Sequence, residues 1–266
     1  MAALLNNRLS QFVPLLVGQG KLAQHLAFYF SALSLPFETL PSARNLRDDL
    51  NLNGALNRVN AIWILVSDQA IESVKNQFIA CAPRFPMLTS LPIIHSSAAS
   101  DISETLTVHP LQTFGPEVYP LEVYKTIPFV FFKRELNDKL VEEHALIQKQ
   151  LRDILPNPQF EISNSHRALY HAYCVMMANF PQILWSAVIK DSKAINENPS
   201  ALFGPILKQA TENFLNLGET ALTGPLVRGD LKTIENHKRA LVDSALLPLY
   251  QSFEVVFKTV LKKENP

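Results

Sequence analysis

The stretch Phe12-Val-Pro-Leu-Leu-Val-Gly-Gln-Gly-Lys-Leu-Ala-Gln-His-Leu26 joins an apolar run to an amphipathic one through a glycine-rich turn. The apolar run ends at Gly18-Gln19-Gly20, and apolar residues at helical spacing follow from Leu22 to Phe30. This pattern predicts a strand, a tight turn and a helix. Ala23 then occupies the third glycine position of a dinucleotide-binding fingerprint.

The small residues of this turn have separate physical roles. Gly18 permits the turn, Gly20 lets the backbone approach a pyrophosphate, and Ala23 lets the helix pack closely on the strand. Free N–H groups and the positive end of the helix dipole then face the phosphates. We therefore predict that the pyrophosphate of a cofactor is held by Gly18, Gln19, Gly20, Lys21 and Leu22. A purely structural turn is the alternative interpretation.

A second predicted strand, 36–40, precedes the residues that would choose between the two nicotinamide cofactors. Glu38 has a spacing from Gly18 close to that of a ribose-binding acid, but it falls inside the strand rather than at its end. Ser42 and Arg44 occupy that end and could hold a 2′-phosphate, the arginine by a bidentate contact. The alternative for Arg44 is an exposed loop residue. We predict NADP rather than NAD.

Composition restricts the class of protein. The 266 residues are 47% hydrophobic and 18% charged, as in soluble globular proteins with an ample core. The formal net charge of zero gives no indication of nucleic acid or an anionic membrane as partner. No apolar run approaches the roughly 20 residues that span a bilayer, and the N-terminus lacks the features of a signal peptide. Cys81 and Cys174 are expected to be reduced and buried, in a cytoplasmic protein without a metal site.

Strand patterns alternate with helical patterns up to about residue 160 and then stop. This order predicts a Rossmann-like, doubly wound, mostly parallel α/β sheet in residues 1–160, followed by an all-helical domain in residues 161–266. Further helices are predicted at 199–217, 230–245 and 247–263. The remaining strands are predicted at 60–66, 91–95, 105–108, 127–132 and 159–162.

Polar residues follow several of these strands. Because open α/β sheets bind ligands beyond the carboxyl ends of their strands, we expect a cofactor to contact Val66-Ser67-Asp68, which ends one strand, and His95-Ser96, which ends the next. His109 follows the predicted strand 105–108 in a polar loop that Pro110 stiffens, and is a candidate catalytic residue. The alternatives are that Ser67 and Asp68 only cap the next helix, and that both histidines are structural.

The helical half carries two further candidate groups. His171 and Asn179 interrupt an apolar helical pattern, and at 3.6 residues per turn they lie about 80° apart around the axis. They are candidate catalytic residues, with a structural hydrogen-bond network as the alternative. Thr223 and Arg228 lie in a segment broken by glycine and proline and are candidates for binding an anionic substrate. Asp230 is expected to cap the following helix.

Several motifs together resemble one bacterial family. They are the Gly-x-Gly-x-x-Ala turn, His95-Ser-Ser, His109-Pro-Leu-Gln-Thr-Phe114, Tyr170-His-Ala with Asn179, and Ala221-Leu-Thr-Gly-Pro-Leu-Val-Arg-Gly-Asp230 with His237. The family is an uncharacterised group of Rossmann-like candidate NADP oxidoreductases with a C-terminal domain of unknown function. The resemblance implies a helical domain similar to that of 6-phosphogluconate dehydrogenase. It implies a distant similarity to pyrroline-5-carboxylate and ketopantoate reductases, which commonly form dimers through that domain.

One departure concerns the chemistry. Reductases of the ketopantoate type carry a lysine and an asparagine on the first interdomain helix, whereas here His171 stands at the lysine-like position. Histidine exchanges protons near neutral pH and could replace the lysine as general acid. The expected function is an NADP-dependent reductase or dehydrogenase, a homodimer, acting on a small, polar, anionic substrate in the interdomain cleft. The alternative is a non-catalytic NADP-binding sensor or scaffold.

Overall fold

The computed structural model describes residues 11–42, 52–133 and 138–261. These residues divide into two compact units, which we call the sheet unit, up to Val175, and the helical unit, from Met176. The division lies after the point near residue 160 at which the strand patterns stop, because the first helix beyond the sheet belongs to the sheet unit.

The sheet unit contains one sheet in the order β2-β1-β3-β4-β5-β6-β7. The first five strands are parallel, β6 runs antiparallel to β5, and β7 is parallel to β6. The predicted mostly parallel, Rossmann-like sheet is therefore confirmed. Its strands are β1 (Pro14–Val17), β2 (Glu38–Leu40), β3 (Ala61–Ile64), β4 (Ile93–His95), β5 (Leu106–Pro110), β6 (Phe129–Lys133) and β7 (Gln159–Ser163).

Helices cover both faces of the sheet, which explains why its central strands are apolar throughout. Along β3, Trp63 contributes to one core cluster, while Ile62 and Ile64 contribute to the cluster on the opposite face. This alternation is the two-residue period of an extended strand. The helices of the sheet unit are α1 (Lys21–Ala32), α2 (Leu52–Leu56), α3 (Ile71–Cys81), α4 (Leu121–Thr126), α5 (Asp138–Ile154) and α6 (Arg167–Cys174).

Strand registers place several residues side by side at the carboxyl edge of the sheet. Val17 lies beside both Leu40 and Ile64. Ile64 in turn lies beside His95, and His95 beside Thr107. Because β2 and β3 lie on opposite sides of β1, the chain reverses its winding direction at β1. The residues after β1 therefore lie at the topological switch point, where such sheets bind ligands.

The helical unit contains helices and short turns only. It buries very little, since Ile234, at 4% exposure, is its only fully buried hydrophobic side chain among the residues described. Its helices are α7 (Phe180–Asp191), α8 (Pro199–Leu217), α9 (Pro225–Arg228), α10 (Leu231–Ala240) and α11 (Leu247–Val256). The predicted helix 199–217 matches α8, whereas α10 ends earlier than predicted. A π-helical turn, Phe257–Leu261, follows α11.

One helical run reaches the length of a membrane span, although no apolar run of about 20 residues was expected from the sequence. The run Asn164–Ala194 is long and apolar enough to cross a membrane by length and composition, with a mean hydropathy of 1.3 over its best window. A single such run is a weak indication of a membrane span. Its first turn is fixed to the sheet unit, because the Arg167 side chain is buried and bonded to the backbone oxygens of Ser97 and Ser100.

Candidate functional site

The two glycines after β1 differ sharply in their surroundings. Gly18 has a φ of +138°, and a Cβ added there would lie 2.3 Å from the carbonyl oxygen of Leu65. Its N–H donates to the carbonyl oxygen of Leu40, so β2 and β3 both fix this position. Gly20 has an ordinary φ of −72°, and a Cβ added there would meet no described atom within 4 Å. The structure itself therefore requires glycine at 18 but not at 20.

Gly20 also begins α1, and no side chain caps that helix. No acidic residue lies in the first turn of α1. No carboxylate there therefore bonds to the free N–H groups or offsets the positive end of the helix dipole. Gln19, Gly20 and Lys21 are exposed, and Leu22 packs partly against the core. The predicted strand, turn and helix are thus present, with the geometry that an anion needs.

The residues expected to select the cofactor lie after β2. Glu38 begins β2, and its carboxylate forms an ion pair with Arg58 at 2.6 Å. Glu38 is therefore engaged within the protein, away from the end of the strand. Ser42 lies half-buried just beyond that end. Arg44 lies outside the described residues.

Ser67 and Asp68 follow β3, and both are exposed. Ser67 precedes a short 3₁₀ turn, Asp68–Ala70, but its side chain makes no capping hydrogen bond. The alternative that Ser67 only caps the next helix is therefore not supported, because its side chain caps no helix in the structure. Val66 is half-buried against the core beside them.

His95 and Ser96 end β4 and are committed to contacts inside the sheet unit. The Nδ1 atom of His95 accepts from the N–H of Ser97 at 3.2 Å, and its Nε2 bonds to the hydroxyl of Thr107 at 3.1 Å. Trp63 donates its indole N–H to the Ser96 hydroxyl at 2.9 Å. The His95 ring is fully buried, so its side chain is a structural histidine, and only its backbone remains for a cofactor contact.

The position of His109 differs from the prediction. His109 lies inside β5, beside Val130 of β6, because pairing with the antiparallel strand extends β5 to Pro110. Its Nδ1 atom lies 2.9 Å from the hydroxyl of Tyr170 on α6. Burial, helped by the nearby His171 and Arg167, lowers the pKa of His109 to about 4. The imidazole is therefore neutral at physiological pH.

Arg167 is a buried residue that the sequence patterns did not indicate. Its Nη1 donates to the backbone oxygens of Ser97 and Ser100, and its Nη2 donates to the hydroxyl of Thr107. The guanidinium also lies 4.0 Å above the ring of Phe132. Through Thr107, Arg167 joins the network that holds His95. The sequence did offer one sign of a buried arginine, since Arg167 begins an apolar helix three residues before Tyr170.

His171 and Asn179 do not occupy the regular helix that their predicted geometry assumed. His171 is half-buried on α6, and Asn179 is exposed at the end of a π-helical turn, Val175–Asn179. A π turn contains more residues per turn than an α-helix, so the predicted angle of 80° between them does not apply.

The loop after β5 is held by a second network, which the sequence analysis also missed. Nε2 of His25, on α1, donates to the carbonyl oxygen of Gly115 at 3.1 Å, so its Nδ1 accepts from the hydroxyl of Tyr124 at 2.5 Å. The Tyr119 hydroxyl bonds to the loop backbone at Thr113 and Gly115. The loop that carries Gln112 and Thr113 is therefore anchored to the helix that would hold the pyrophosphate.

The candidate substrate residues belong to the helical unit. Gly224, with φ +100°, and Gly229, with φ +68°, bound the short helix α9, and Thr223 and Arg228 are exposed. Asp230 accepts hydrogen bonds from the N–H and the hydroxyl of Thr233, as expected of a helix cap. These bonds lower the pKa of Asp230, and Arg228 contributes to a smaller extent.

Both cysteines, Cys81 and Cys174, are free, and they are half-buried rather than fully buried. Within the described ranges, no group of three or more histidine, cysteine or acidic side chains is placed to hold a metal ion.

Comparisons with known proteins place the fold. Residues 141–254 match the family described as a domain of unknown function, DUF2520. No curated protein matches the sequence. A candidate NADP oxidoreductase from Bacteroides fragilis is 17% identical, with a TM-score of 0.65 over 92% of this chain and 97% of that one. A Thermotoga maritima protein is 19% identical, with a TM-score of 0.65 over 92% and 96%.

A third solved structure is more distant. The 1-pyrroline-5-carboxylate reductase from Streptococcus pyogenes is 14% identical and covers 92% of this chain and 95% of its own, with a TM-score of 0.50. At these identities the likeness shows a common fold. Together with the DUF2520 match, it confirms the family resemblance that the sequence motifs indicated.

Proposed function

We propose that this protein is an NADP-dependent oxidoreductase whose cofactor pyrophosphate binds at Gly18–Leu22. The observation that carries the proposal is the contrast between Gly18 and Gly20. Packing explains the first glycine, since a Cβ would collide with the Leu65 carbonyl. Nothing described within the protein explains the second. A glycine that begins an uncapped helix and faces open space suits the close approach of a phosphate to the backbone.

The preference for NADP is supported by the surroundings of β2. An acid that binds the ribose hydroxyl of NAD would need to be available at the end of this strand, and Glu38 is instead paired with Arg58. Ser42 follows the strand. Within the proposal, Ser42 and Arg44 hold the 2′-phosphate, since arginine binds phosphate through two parallel hydrogen bonds.

The finer assignments follow from the same proposal. Val66, Ser67 and Asp68 would hold the nicotinamide at the carboxyl edge of β3, where the two polar side chains are exposed. NADPH, when bound, would supply a hydride to a carbonyl or imine carbon. His171 then donates the proton that the reduced oxygen or nitrogen requires, and Asn179 orients the substrate. The chain works in the cytoplasm, which its free cysteines favour.

The substrate in this proposal is small, polar and anionic. Arg228 is an exposed arginine in a segment that two glycines of positive φ shape, and Thr223 supplies a hydroxyl from the same segment. An arginine can bind a carboxylate or phosphate in a fixed, bidentate geometry. Thr223 and Arg228 are therefore the residues that we assign to the substrate.

A non-catalytic NADP-binding sensor or scaffold is the second candidate. The observation that favours it is the absence of lysine from Arg167–Cys174, where ketopantoate-type reductases carry their catalytic residue. Both candidates require cofactor binding, but only the first requires hydride transfer. Oxidation of bound NADPH, followed by its absorbance across a panel of carbonyl and imine compounds, separates them.

We further propose that a second copy of this chain covers the helical unit. Of its apolar residues that the structure describes, the helical unit fully buries only Ile234 and Pro199, less than the buried area that sustains a folded unit. Two apolar grooves of about 430 Å³ each border α7, and both are lined by Leu184, Val188 and Phe203. The same unit exposes apolar side chains on α8, including Leu202 and Ile206, which lie one turn apart on the same side of the helix. One surface that carries both grooves and ridges suits a two-fold symmetric pair.

The test of the proposed function is calorimetric titration with NADPH and NADH. We expect the wild-type chain to bind NADPH more tightly than NADH. We expect Gly20→Ala to weaken NADPH binding by about tenfold or more, because its Cβ would occupy the space of a phosphate, while the melting temperature changes little. The matched control is Gly54→Ala, which adds a methyl group to an exposed helical position.

Two results would contradict the proposal. One is that neither nucleotide binds the folded wild-type chain. The other is that Gly20→Ala binds NADPH as tightly as Gly54→Ala does, which would make the turn purely structural.

A further inference from the structure

Tyr170 forms a specific pair with His109, and neither the comparisons nor the sequence motifs assign it a role. The Tyr170 hydroxyl lies 2.9 Å from Nδ1 of His109, and the two rings meet edge to face with centroids 5.8 Å apart. The Tyr170 ring also packs against Phe132 of β6, with centroids 5.5 Å apart. Two strands of the sheet therefore hold this tyrosine side chain in place.

The two ionisation states leave two neutral forms of this hydrogen bond, in which either the Tyr170 hydroxyl or the Nδ1–H of His109 donates. Burial, followed by the Cys174 thiol, raises the pKa of Tyr170, so its hydroxyl keeps its proton. Burial lowers the pKa of His109 to about 4, so its imidazole is neutral at pH 7. A neutral imidazole has one N–H and one acceptor nitrogen. In the form in which the hydroxyl donates to Nδ1, the remaining ring proton of His109 lies on Nε2.

Further contacts from α6 keep Tyr170 in register with β5. Arg167 lies one turn before Tyr170, and its Nη2 donates to Thr107 at 2.9 Å. Thr107 and His109 are two residues apart on β5, so their side chains point to the same face of the sheet. The same two elements thus meet at two points, one between Arg167 and Thr107 and one between Tyr170 and His109.

Among the described residues, Nε2 of His109 has no hydrogen-bond partner, whereas its Nδ1 and the hydroxyls of Thr107 and Tyr170 are bonded. In the form that carries its proton on Nε2, this N–H is a donor that can serve a ligand. It differs from a general acid, because a neutral imidazole gives up its N–H proton only at very high pH. Such a fixed donor suits an oxygen that is an acceptor before reaction and gains negative charge during it.

We propose that Tyr170 is a positioning residue that fixes His109 as a neutral Nε2–H donor to a carbonyl oxygen of a bound ligand. The ligand part of this inference rests on the proposed function, and the tautomer part does not. The carbonyl oxygen belongs either to the carboxamide of the nicotinamide or to a carbonyl substrate. His109 and His171 thereby have different tasks, since the first holds an oxygen and the second supplies a proton.

The first experiment measures the tautomer directly. Long-range ¹H–¹⁵N spectra of the imidazole rings distinguish a proton on Nδ1 from one on Nε2, and His109→Asn identifies the signals of His109 among the seven histidines. We expect the Nε2–H form in the wild-type chain from pH 8 to about pH 5. Tyr170→Phe removes the donor to Nδ1 and should yield a mixture of tautomers with a raised pKa for His109.

The chain offers a matched control in a second histidine–tyrosine pair. His237 and Tyr250 have the same edge-to-face arrangement, with centroids 5.8 Å apart and an Nδ1 to hydroxyl distance of 3.0 Å. His237 is exposed and belongs to the helical unit. Tyr250→Phe removes an equivalent hydroxyl and should leave the His109 signals unchanged. A His109 ring in the Nδ1–H form, or one that Tyr170→Phe leaves unchanged, would overturn the positioning role.

The second experiment tests the ligand. Added NADP⁺ should shift the Nε2–H signal of His109 if the acceptor is the carboxamide oxygen. A shift only when pyruvate is added to the NADP⁺-saturated chain would assign the bond to a carbonyl substrate. No shift in either case, with calorimetry showing that NADP⁺ binds, would overturn the donor role. If calorimetry shows no NADP⁺ binding, the proposed function and the donor role both fail, whereas the tautomer result stands by itself.

Discussion

The sheet unit buries its large apolar side chains, whereas the helical unit exposes them. The chain has two tryptophans, one in each unit. Trp63, in the centre of β3, is 0% exposed and packs edge to face with Phe12 and Phe30. Trp185, on α7, is 38% exposed. The two tryptophans therefore show that the sheet unit packs its large apolar side chains more fully than the helical unit does.

This contrast separates two sources of stability. Burial of apolar surface is the dominant favourable term in folding, and the two core clusters of the sheet unit supply it within one chain. The helical unit has no comparable cluster among its described residues, so its helices need another surface. The polar residues of the candidate site are fixed mainly in the sheet unit, by β4, β5 and α6.

The largest expected effect is on the sheet unit. Trp63→Ala should destabilise it by about 3–5 kcal/mol, because it leaves a cavity and removes the partner of the Ser96 hydroxyl. Trp185→Ala should cost under about 1 kcal/mol in dilute protein, where a half-exposed side chain loses little packing. Urea unfolding followed by circular dichroism measures both.

Protein concentration sharpens this comparison. If a second copy covers α7, the cost of Trp185→Ala should grow as the protein is concentrated, since association adds stability by mass action. The cost of Trp63→Ala should not depend on concentration in this way. Equal costs for the two variants in dilute protein would mean that the helical unit has a core of its own.

A smaller effect is expected on self-association. Ile206 is 67% exposed on α8 and borders one apolar groove. Ile206→Glu should weaken the pairing of two copies by about 100-fold, because an unpaired carboxylate would be buried between them. Lys208→Gln lowers the net charge by the same amount from an exposed position on α8, and should leave pairing unchanged. Sedimentation velocity measures the dissociation constants.

A wild-type chain that sediments as a monomer at tens of micromolar would contradict the second-copy proposal. So would an Ile206→Glu variant that pairs as tightly as Lys208→Gln. Either result would leave the exposed apolar faces of the helical unit to a partner of another kind.

The fold was predictable because its signals are local. An apolar run followed by Gly18-Gln19-Gly20 and a helical pattern specifies β1, the turn and α1 within a few residues. The all-helical character of the last part was equally clear from the loss of strand patterns. The exposure of α8 was not, because an amphipathic pattern is the same whether a core or a second chain covers its apolar face.

The site was less predictable because it depends on strand register and on contacts between distant residues. His95 looked available after its strand, yet pairing beside Thr107 placed its ring in the core. His109 looked like a loop residue, because nothing in the local pattern showed that β6 would extend β5. Arg167 was missed since its four hydrogen-bond partners lie up to 70 residues away.

The last expected effect is a dependence of sheet-unit stability on pH. The pKa of His109 falls from 6.5 in the unfolded chain to about 4 in the folded one. Above pH 6.5 the ring is neutral in both states and costs nothing. As the pH falls towards 4, the unfolded chain binds a proton that the folded chain does not, so stability is lost, by at most about 2 kcal/mol between pH 7 and pH 5. His109→Asn keeps an acceptor for the Tyr170 hydroxyl but cannot titrate, so its unfolding free energy should fall less over this range. Equal losses in the wild-type chain and in His109→Asn would show that other groups, and not the ring beside Tyr170, carry the acid sensitivity of the sheet unit.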